Sequence, residues 1–331
     1  MKKVHIIAEA GSNYNGDIGL AKKLIDIGKR SKADSVKFQI INTYGLYLPG
    51  NYEYGHYDIK EVIDFREKCN LSPEEWDVIF DYGSKSNIKI SASVFDKVSL
   101  DILVKQNPEY IKIASSDLNN IKFLLEVGKY GIKMIISTGM ATLSEIDKTV
   151  NALVKNNIQN VVLMHCVSAY PADLQDMNLG FIDTLRSAFG FDTGFSDHTK
   201  TSIAACLALT KGVKFIEKHF TINNSLPGLD HKHAMDEEGL KNYINDIRNA
   251  ESALMFSKIK IGEKEEYTKK RAKRALYAAR SIHSGQTISN DDILVVRPQG
   301  PMSADMYYEI LGKKILKDIK QYEPFTPDII S

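Results

Sequence analysis

The segment Lys214–Phe220, KFIEKHF, decides how this chain is read. It is too short for a helix and has an aromatic residue near each end, as a buried strand would. Yet Glu217, Lys218 and His219 sit inside it. Alternate side chains of a strand face opposite sides. Glu217 and His219 therefore share a face with Phe215, opposite Ile216, and Lys218 falls on the other face, where a structural, snorkelling role is expected.

The same parity recurs along the chain. Apolar runs alternate with helical patterns, and strands are expected at Val4–Ala8, Ser35–Gln39, Ile88–Ser93, Tyr110–Ile113, Met134–Ser137, Val161–Cys166, Phe191–Ser196 and Phe215–His219. Helices are expected between them, as at Ile18–Arg30, Pro73–Lys85, Ser144–Asn156, Asn178–Phe189, Ser202–Thr210 and Glu237–Phe256. Ser72 before Pro73, and Thr142 three residues before Glu145, are helix-start signals. Eight strand–helix units in about 255 residues predict a closed (β/α)8 TIM barrel. An open doubly wound sheet is the alternative, but its first turn usually carries G-x-G-x-x-G. Here that turn reads AEAGSNYNGD.

Within that barrel the polar residues fall on one face at the C-terminal strand ends. Glu9 shares a face with Ile7, and Lys37 with Gln39. Ser91 and Ser93 oppose Ile90, Ala92 and Val94, and Lys112 opposes Ile111 and Ile113. Ser196 and His198 share a face with Gly194. This is the end of a barrel where active sites are built.

The cup's charges indicate a ligand. Lys37 and Lys112 would repel by roughly 2–4 kcal/mol at an effective dielectric near 20, which a bound anion reverses. Ser93, Ser115, Ser168 and Ser196 add hydroxyl donors suited to a phosphate, and a carboxylate fits as well. His198 and His219 end adjacent strands about 4.8 Å apart, so two imidazoles can share a metal. Asp197 and Glu217 could orient them or add oxygen ligands. With no thiolate evident, Mn²⁺ or Mg²⁺ suits the set better than structural Zn²⁺. Glu9 could be a ligand, a base or a water-positioner. His165 has no defined role, and His231 and His233 read as a solvated loop.

The rest bounds the answer. With 331 residues, 43% of them hydrophobic, the chain has ample material for a large core. A formal net charge of +1 provides no global field for nucleic acid or an anionic membrane. Cys69, Cys166 and Cys206 show no paired spacing and read as reduced thiols of a cytoplasmic protein. The apolar run Val4–Ala8 is too short for a secretion signal, and no run is long enough to span a membrane. The second unit carries an excursion, Ile40 to Leu71, rich in tyrosine (Tyr44, Tyr47, Tyr52, Tyr54, Tyr57), which reads as a lid or binding loop, or as a surface loop packing its own aromatics. The division expected is a barrel over 1–257, a basic linker over 258–280 and a small module over 281–331.

The motifs IIAEAGSNYNGDIGLAKKLID, ADSVKFQI, YIKIASSDLNN, IISTGM, HCVSAYP, GFSDHT, IEKHF and RPQGP, in this order, make the chain resemble the sialic acid synthases: N-acetylneuraminate synthase and its legionaminate and pseudaminate relatives. The resemblance implies a metal-dependent condensation of phosphoenolpyruvate with an N-acetylated amino-sugar aldehyde, giving a nine-carbon 2-keto acid and phosphate. It implies that Lys37, Ser93, Lys112, Ser115, Ser168 and Ser196 hold phosphoenolpyruvate, that His198 and His219 hold the metal, and that Gln39, Asp117, Tyr170 and Asp230 contact the sugar. Glu9 matches the catalytic glutamate. The C-terminal module matches an antifreeze-like (SAF) domain that swaps across a homodimer, with Arg297 reaching the neighbouring subunit's sugar. Ser93, Asp117 and Ser168 stand where threonine, glutamate and asparagine are common, and LPGLDHKHAMD departs from the usual pattern on the sugar side. Two other readings compete: a Schiff-base or metal-dependent aldolase using Lys112 on the same barrel, and an inactive barrel presenting its C-terminal module.

Overall fold

A computed structural model describes residues 3–48, 53–54, 57–254 and 261–331, with 53–54 and 57 as backbone only. Eight parallel strands close into a barrel in sequence order: β1 (His5–Gly11), β2 (Ser35–Ile40), β3 (Lys89–Val94), β4 (Tyr110–Ile113), β5 (Lys133–Ser137), β6 (Val161–Cys166), β7 (Asp192–Asp197) and β8 (Phe215–His219). β8 pairs with β1 from His5 opposite Phe215 to Glu9 opposite His219. Each expected strand is present to within one or two residues, except that β1 runs on to Gly11.

The helix starts follow their local chemistry. Asp17 caps Ile18–Arg30 by accepting from Leu20 N at 3.0 Å. Ser72 and Glu75, and Thr142 and Glu145, form reciprocal capping boxes at Pro73–Lys85 and Leu143–Lys155. The helices that follow the barrel strands lay apolar stripes on the outer barrel face, and Ile6, Ala8, Val36, Phe38, Ile111 and Ile113 join them in one continuous core. Contact is close at Gly28, where an added Cβ would lie 2.2 Å from Val36 Cγ2.

Inside the barrel, Ile7, Tyr110, Ile135, Val162, Met164 and Phe215 form a separate apolar plug. Ile7, Tyr110, Ile135, Met164 and Phe215 each sit two residues before a polar residue of the same strand: Glu9, Lys112, Ser137, Cys166 and Glu217. The pleat thus stacks a dry floor under a polar cup. Burying one such side chain contributes about 1.5–3 kcal/mol, so the floor stabilises the barrel while leaving the layer above free for chemistry.

The strand ends are shaped as well as placed. β1 shifts register between Glu9 and Gly11, with Glu9 opposite Lys37 and Gly11 opposite Phe38. Such an extra residue re-aims a strand end. Gly11 has φ +57°, and a Cβ there would lie 2.7 Å from Asp230 Oδ2, so glycine lets the Asp230 carboxylate approach the strand. The excursion holds the helices Thr43–Leu46 and Ile59–Lys68. Tyr52 lies outside the described residues, as do the side chains of Tyr54 and Tyr57.

The chain divides into two compact units, Met1–Met255 and Phe256–Ser331. The second has its own core, which includes Leu276, Ile282, Ile288, Ile310, Ile315 and Phe325. Its strands β9 (Ala275–Ala278) and β10 (Ile293–Val296) pair antiparallel. Residues 258–280, expected as a linker, hold the helix Glu263–Ala272 as well as β9. That helix is acidic in its first turn and basic in its last, which suits the helix dipole. Its charge masks the structure from a compositional reading. Among the described residues no helix is long and apolar enough to cross a membrane.

Candidate active site

Eleven of the fourteen residues expected at the site line one cavity of about 270 Å³ at the C-terminal strand ends: Glu9, Lys37, Gln39, Ser93, Lys112, Ser115, Ser168, Tyr170, Ser196, His198 and His219. A larger cavity of about 630 Å³ adjoins it, sharing Ser168, Tyr170, His198 and His219 and adding Asp230. Asp117 lines neither. It is buried in the turn after β4, accepting from Ser116 Oγ at 2.8 Å, and burial raises its pKa. Arg297 is exposed and belongs to the second unit.

The floor of the cup is a buried quartet of charges. Lys37 Nζ lies 2.6 Å from Glu9 Oε2 and donates to Ser93 Oγ at 2.8 Å. Lys112 Nζ donates to Ser137 Oγ at 2.7 Å. Glu217 stands between the lysines, with Oε2 3.7 Å from Lys37 and Oε1 3.8 Å from Lys112, and accepts from Ser196 Oγ at 3.0 Å. The repulsion expected between the lysines is therefore relieved by Glu217, which acts as their shared counter-ion.

Burial and charge set the protonation states. Burial pushes Glu9 up, reinforced by Glu217 and only partly offset by Lys37. Burial works the same way on Glu217, but Lys112, Lys37 and His219 outweigh it and hold that carboxylate well down. Burial also lowers Lys112. Two carboxyls in one cup are thus driven apart, the arrangement by which a site separates an acid–base group from a fixed charge. Glu9 Oε2 has no hydrogen bond beyond its ion pair, and Glu217 Oε2 and His219 Nδ1 have none among the described residues.

The two imidazoles lie with ring centroids 5.6 Å apart. His198 Nδ1 is 2.6 Å from Val167 O. A carbonyl can only accept, so the proton sits on Nδ1 and Nε2 keeps its lone pair. Burial and the neighbouring His219 lower His198 to about 4, and burial lowers His219. Both rings are neutral at pH 7, as metal ligation requires. With the orphaned His219 nitrogen, this donor pair fits a divalent ion that draws its other ligands from water and substrate. Among the described residues no third His, Cys, Asp or Glu completes a cluster.

Asp230 accepts from Ser12 N at 3.4 Å and Ser12 Oγ at 3.2 Å. Burial opposes its ionisation, but His219, Arg66 and Ser12 hold it down. Tyr170 packs on His198 with centroids 4.2 Å apart. Opposite Ser168, Gly139 leaves room: a Cβ there would meet Ser168 Oγ, Cys166 Sγ and Ser115 Oγ at 2.5–2.8 Å.

Several side chains differ from their sequence reading. Ser137 and the central role of Glu217 were missed, although Ser137 ends β5 on the parity of Ile135 and the rule applied to the other strands would have found it. His231 is fully buried, with Nδ1 2.6 Å from Thr221 Oγ1, and anchors its loop rather than being solvated. His233 is exposed and lines the larger cavity. His165 packs outside the lumen, with Nε2 2.7 Å from Met177 O. Lys218, expected on the outer face, lies 3.6 Å from Asp197 with its ammonium over the Tyr243 ring. All three cysteines are free.

The NeuB family model matches residues 24–259, and the SAF domain model matches residues 273–330. The chain is 35% identical over 331 residues to the N,N'-diacetyllegionaminic acid synthase of Campylobacter jejuni (serotype O:2), covering 98% of this chain and 99% of that protein. It is 33% identical over 325 residues to the pseudaminic acid synthase of C. jejuni (serotype O:23/36), covering 96% and 94%. A crystal structure of N-acetylneuraminic acid (sialic acid) synthetase from Leptospira borgpetersenii, in complex with citrate, superposes with a TM-score of 0.71 at 32% identity, covering 81% of this chain and 90% of that one.

Proposed function

This chain belongs to the NeuB family and carries a SAF domain, and on that premise we propose that it condenses phosphoenolpyruvate with an N-acetylated amino-sugar aldehyde, yielding a nine-carbon 2-keto sugar acid and phosphate. The observation that carries this reading is the buried pair Lys37 and Lys112 facing a ring of serine hydroxyls, in a small cavity opening into a larger one across two imidazoles. Phosphoenolpyruvate suits the small cavity and a sugar the large one.

The residues divide the work. Lys37 and Lys112, with Ser93, Ser115, Ser137, Ser168 and Ser196, bind the phosphate and carboxylate oxygens. Because these donors are fixed before reaction, they favour the departing phosphate without reorganising. The enol carbon attacks the aldehyde carbon, positive charge develops at C2, and water adds there. Glu9, which burial holds towards its neutral form while Glu217 stays ionised, gives its proton to the aldehyde oxygen as the carbon–carbon bond forms and then takes the proton that this water loses. The tetrahedral carbon then becomes the ketone as its hydroxyl proton passes to the departing phosphate and its bond to the phosphate oxygen breaks. Gln39, Tyr170 and Asp230 orient the acceptor. A divalent ion, Mn²⁺ or Mg²⁺, held by His198 through Nε2 and by His219, would supply Lewis-acid polarisation of the aldehyde oxygen.

We further infer a homodimer in which the SAF module of one copy brings Arg297 to the sugar end of the other, and a cytoplasmic setting. Mixing an Arg297→Ala chain with a Lys37→Met chain restores part of the activity if the site is shared, and none if each copy is self-sufficient. The reaction itself is tested by phosphate release from phosphoenolpyruvate with Mn²⁺, across N-acetylmannosamine and the 2,4-diacetamido-trideoxyhexoses. No release with any acceptor overturns the proposal. The lowered pKa of Lys112 would also suit a Schiff base. Borohydride trapping of a carbonyl substrate on Lys112 would favour that aldolase reading.

A further inference from the structure

Three successive pairs of residues close the ends of β7 and β8. Ser196 and Glu217 face the lumen and share a hydrogen bond of 3.0 Å. His198 and His219 also line the cup. Between them, Asp197 and Lys218 are register partners on the opposite face, turned towards the helices. They are buried there, at 0% and 3% exposure, 3.6 Å apart. That face is otherwise apolar: Phe195 and Ile216 precede them on the same parity and belong to the outer core. The larger cavity reaches both residues, but neither lines the smaller one.

The pair is tied to the backbone beside His198. Asp197 Oδ1 accepts from Thr199 N at 2.8 Å, and the Lys218 ammonium donates to Thr199 O. Both backbone polar groups of the residue after His198 are thus held by the side chains of 197 and 218. From the last barrel helix, Glu237–Leu254, the buried Tyr243 donates to Asp197 Oδ2 at 2.9 Å, and the Lys218 ammonium lies over its ring, 5.1 Å from the centroid. At the other imidazole, Met235 N donates to His219 O at 3.0 Å. A buried ion pair is a poor way to stabilise an outer barrel face, because desolvating two charges cancels most of their attraction and apolar side chains of similar size serve as well or better. What this pair provides is geometry: it links the residue after one imidazole to the residue before the other.

We propose that Asp197, Lys218 and Tyr243 are positioning residues that set the separation of His198 and His219, and so the affinity of that pair for a divalent ion. The inference rests on the metal pair proposed above and is independent of which sugar is the acceptor. Side chains that hold metal ligands in place typically carry about 10–100-fold in metal affinity. Here the hold passes through the backbone of 197–199 and 218–219 rather than through a hydrogen bond to either ring.

The test measures Mn²⁺ binding to the chelator-treated full chain, without substrates, from the loss of the free-ion electron paramagnetic resonance signal. The thermal midpoint of the metal-free protein is measured beside it. Asp197→Asn combined with Lys218→Met removes both charges and leaves no buried ion unpaired. This double variant should keep a midpoint close to that of the unmodified protein and raise the Mn²⁺ dissociation constant about tenfold or more. Tyr243→Phe, which deletes one hydroxyl, should shift the constant the same way by less. His219→Ala is the control and should abolish binding. An unchanged constant in the folded double variant, or in Tyr243→Phe where the double variant does not fold, overturns the inference and leaves the metal pair standing. Weaker binding that only tracks a lower metal-free midpoint in both variants assigns the three residues to stability alone and overturns it as well. Binding to His219→Ala as tight as to the unmodified protein overturns the metal pair itself, and the positioning role with it.

Discussion

The two ends of the barrel are built from the same strands, yet they treat polar groups in opposite ways. At the N-terminal end, Asp34 accepts from Ile6 N at 2.8 Å and Lys3 Nζ at 3.0 Å and pairs with Arg248. Arg248 also pairs with Glu251 at 2.8 Å, and Glu251 accepts from Val4 N. In the lumen nearby, His5, Ser35 and Tyr110 are joined by contacts of 2.9 Å. A groove of about 850 Å³ lies at this end, but most of the charges on its walls are matched, as Asp77 is by Lys105 and Lys89 by Glu109, each at 2.6 Å. At the C-terminal end the cavities are smaller, and there Glu9, Glu217, His219 and Arg66 keep buried polar atoms without hydrogen-bond partners among the described residues. Among the described residues the N-terminal end leaves one buried hydroxyl, Ser31 Oγ, without a partner; unmet charged groups and imidazole, rather than volume, distinguish the site from the crevice, because each unmet polar atom costs about 1–3 kcal/mol until a ligand meets it.

The contrast can be broken most forcefully at Lys37. Lys37→Met should lower kcat/KM by about 10³-fold, roughly 4 kcal/mol of transition-state stabilisation, while the thermal midpoint moves little. Glu9, already pushed towards its neutral form by burial, can take up a proton in place of its lost partner. A loss of stability matching the loss of activity would erase the distinction between the two ends.

Metal removal comes next. Chelation should reduce turnover by more than about 10²-fold, with recovery on adding Mn²⁺, and His219→Ala should show neither response. A His219→Ala protein that worked normally with Mn²⁺ would break the ligand pair.

The opposite signature is expected at the closed end. Asp34→Asn should cost about 1–2 kcal/mol of stability, a range reduced for the partial exposure of its ion pairs, and leave kcat/KM within about twofold. Chemical denaturation and the phosphate-release assay together check it.

The smallest effect sharpens the same point with pH. Burial works against ionised Asp34, but the Ile6 N–H, Lys3 and Arg248 outweigh it and depress its pKa below the usual 3.8. A depressed carboxylate binds fewer protons folded than unfolded, so its stabilisation is present above pH 4 and fades as pH falls through the folded value. The stability gap between the unmodified protein and Asp34→Asn should therefore close below about pH 4. A gap that persisted at pH 2 would mean that Asp34 acts through packing rather than charge.

What the sequence determined by itself was everything carried by period and parity. Strand parity put Glu9, Lys37, Lys112, His198 and His219 on one face, and the closed barrel brings them into one cavity. Local helix-start signals at Ser72 and Thr142 were legible because a cap involves only residues three apart. Tertiary structure alone decided the rest. Glu217 as the shared partner of two lysines, His231 as a buried anchor, Asp117 apart from both cavities and Arg66 without an acceptor depend on contacts between segments far apart in sequence. The residue types at those positions allow several roles. The β9 strand was hidden inside a basic stretch for a related reason, since its partner lies in β10, some twenty residues on. Pattern sets which way a side chain points, and only the closed barrel sets what it meets there.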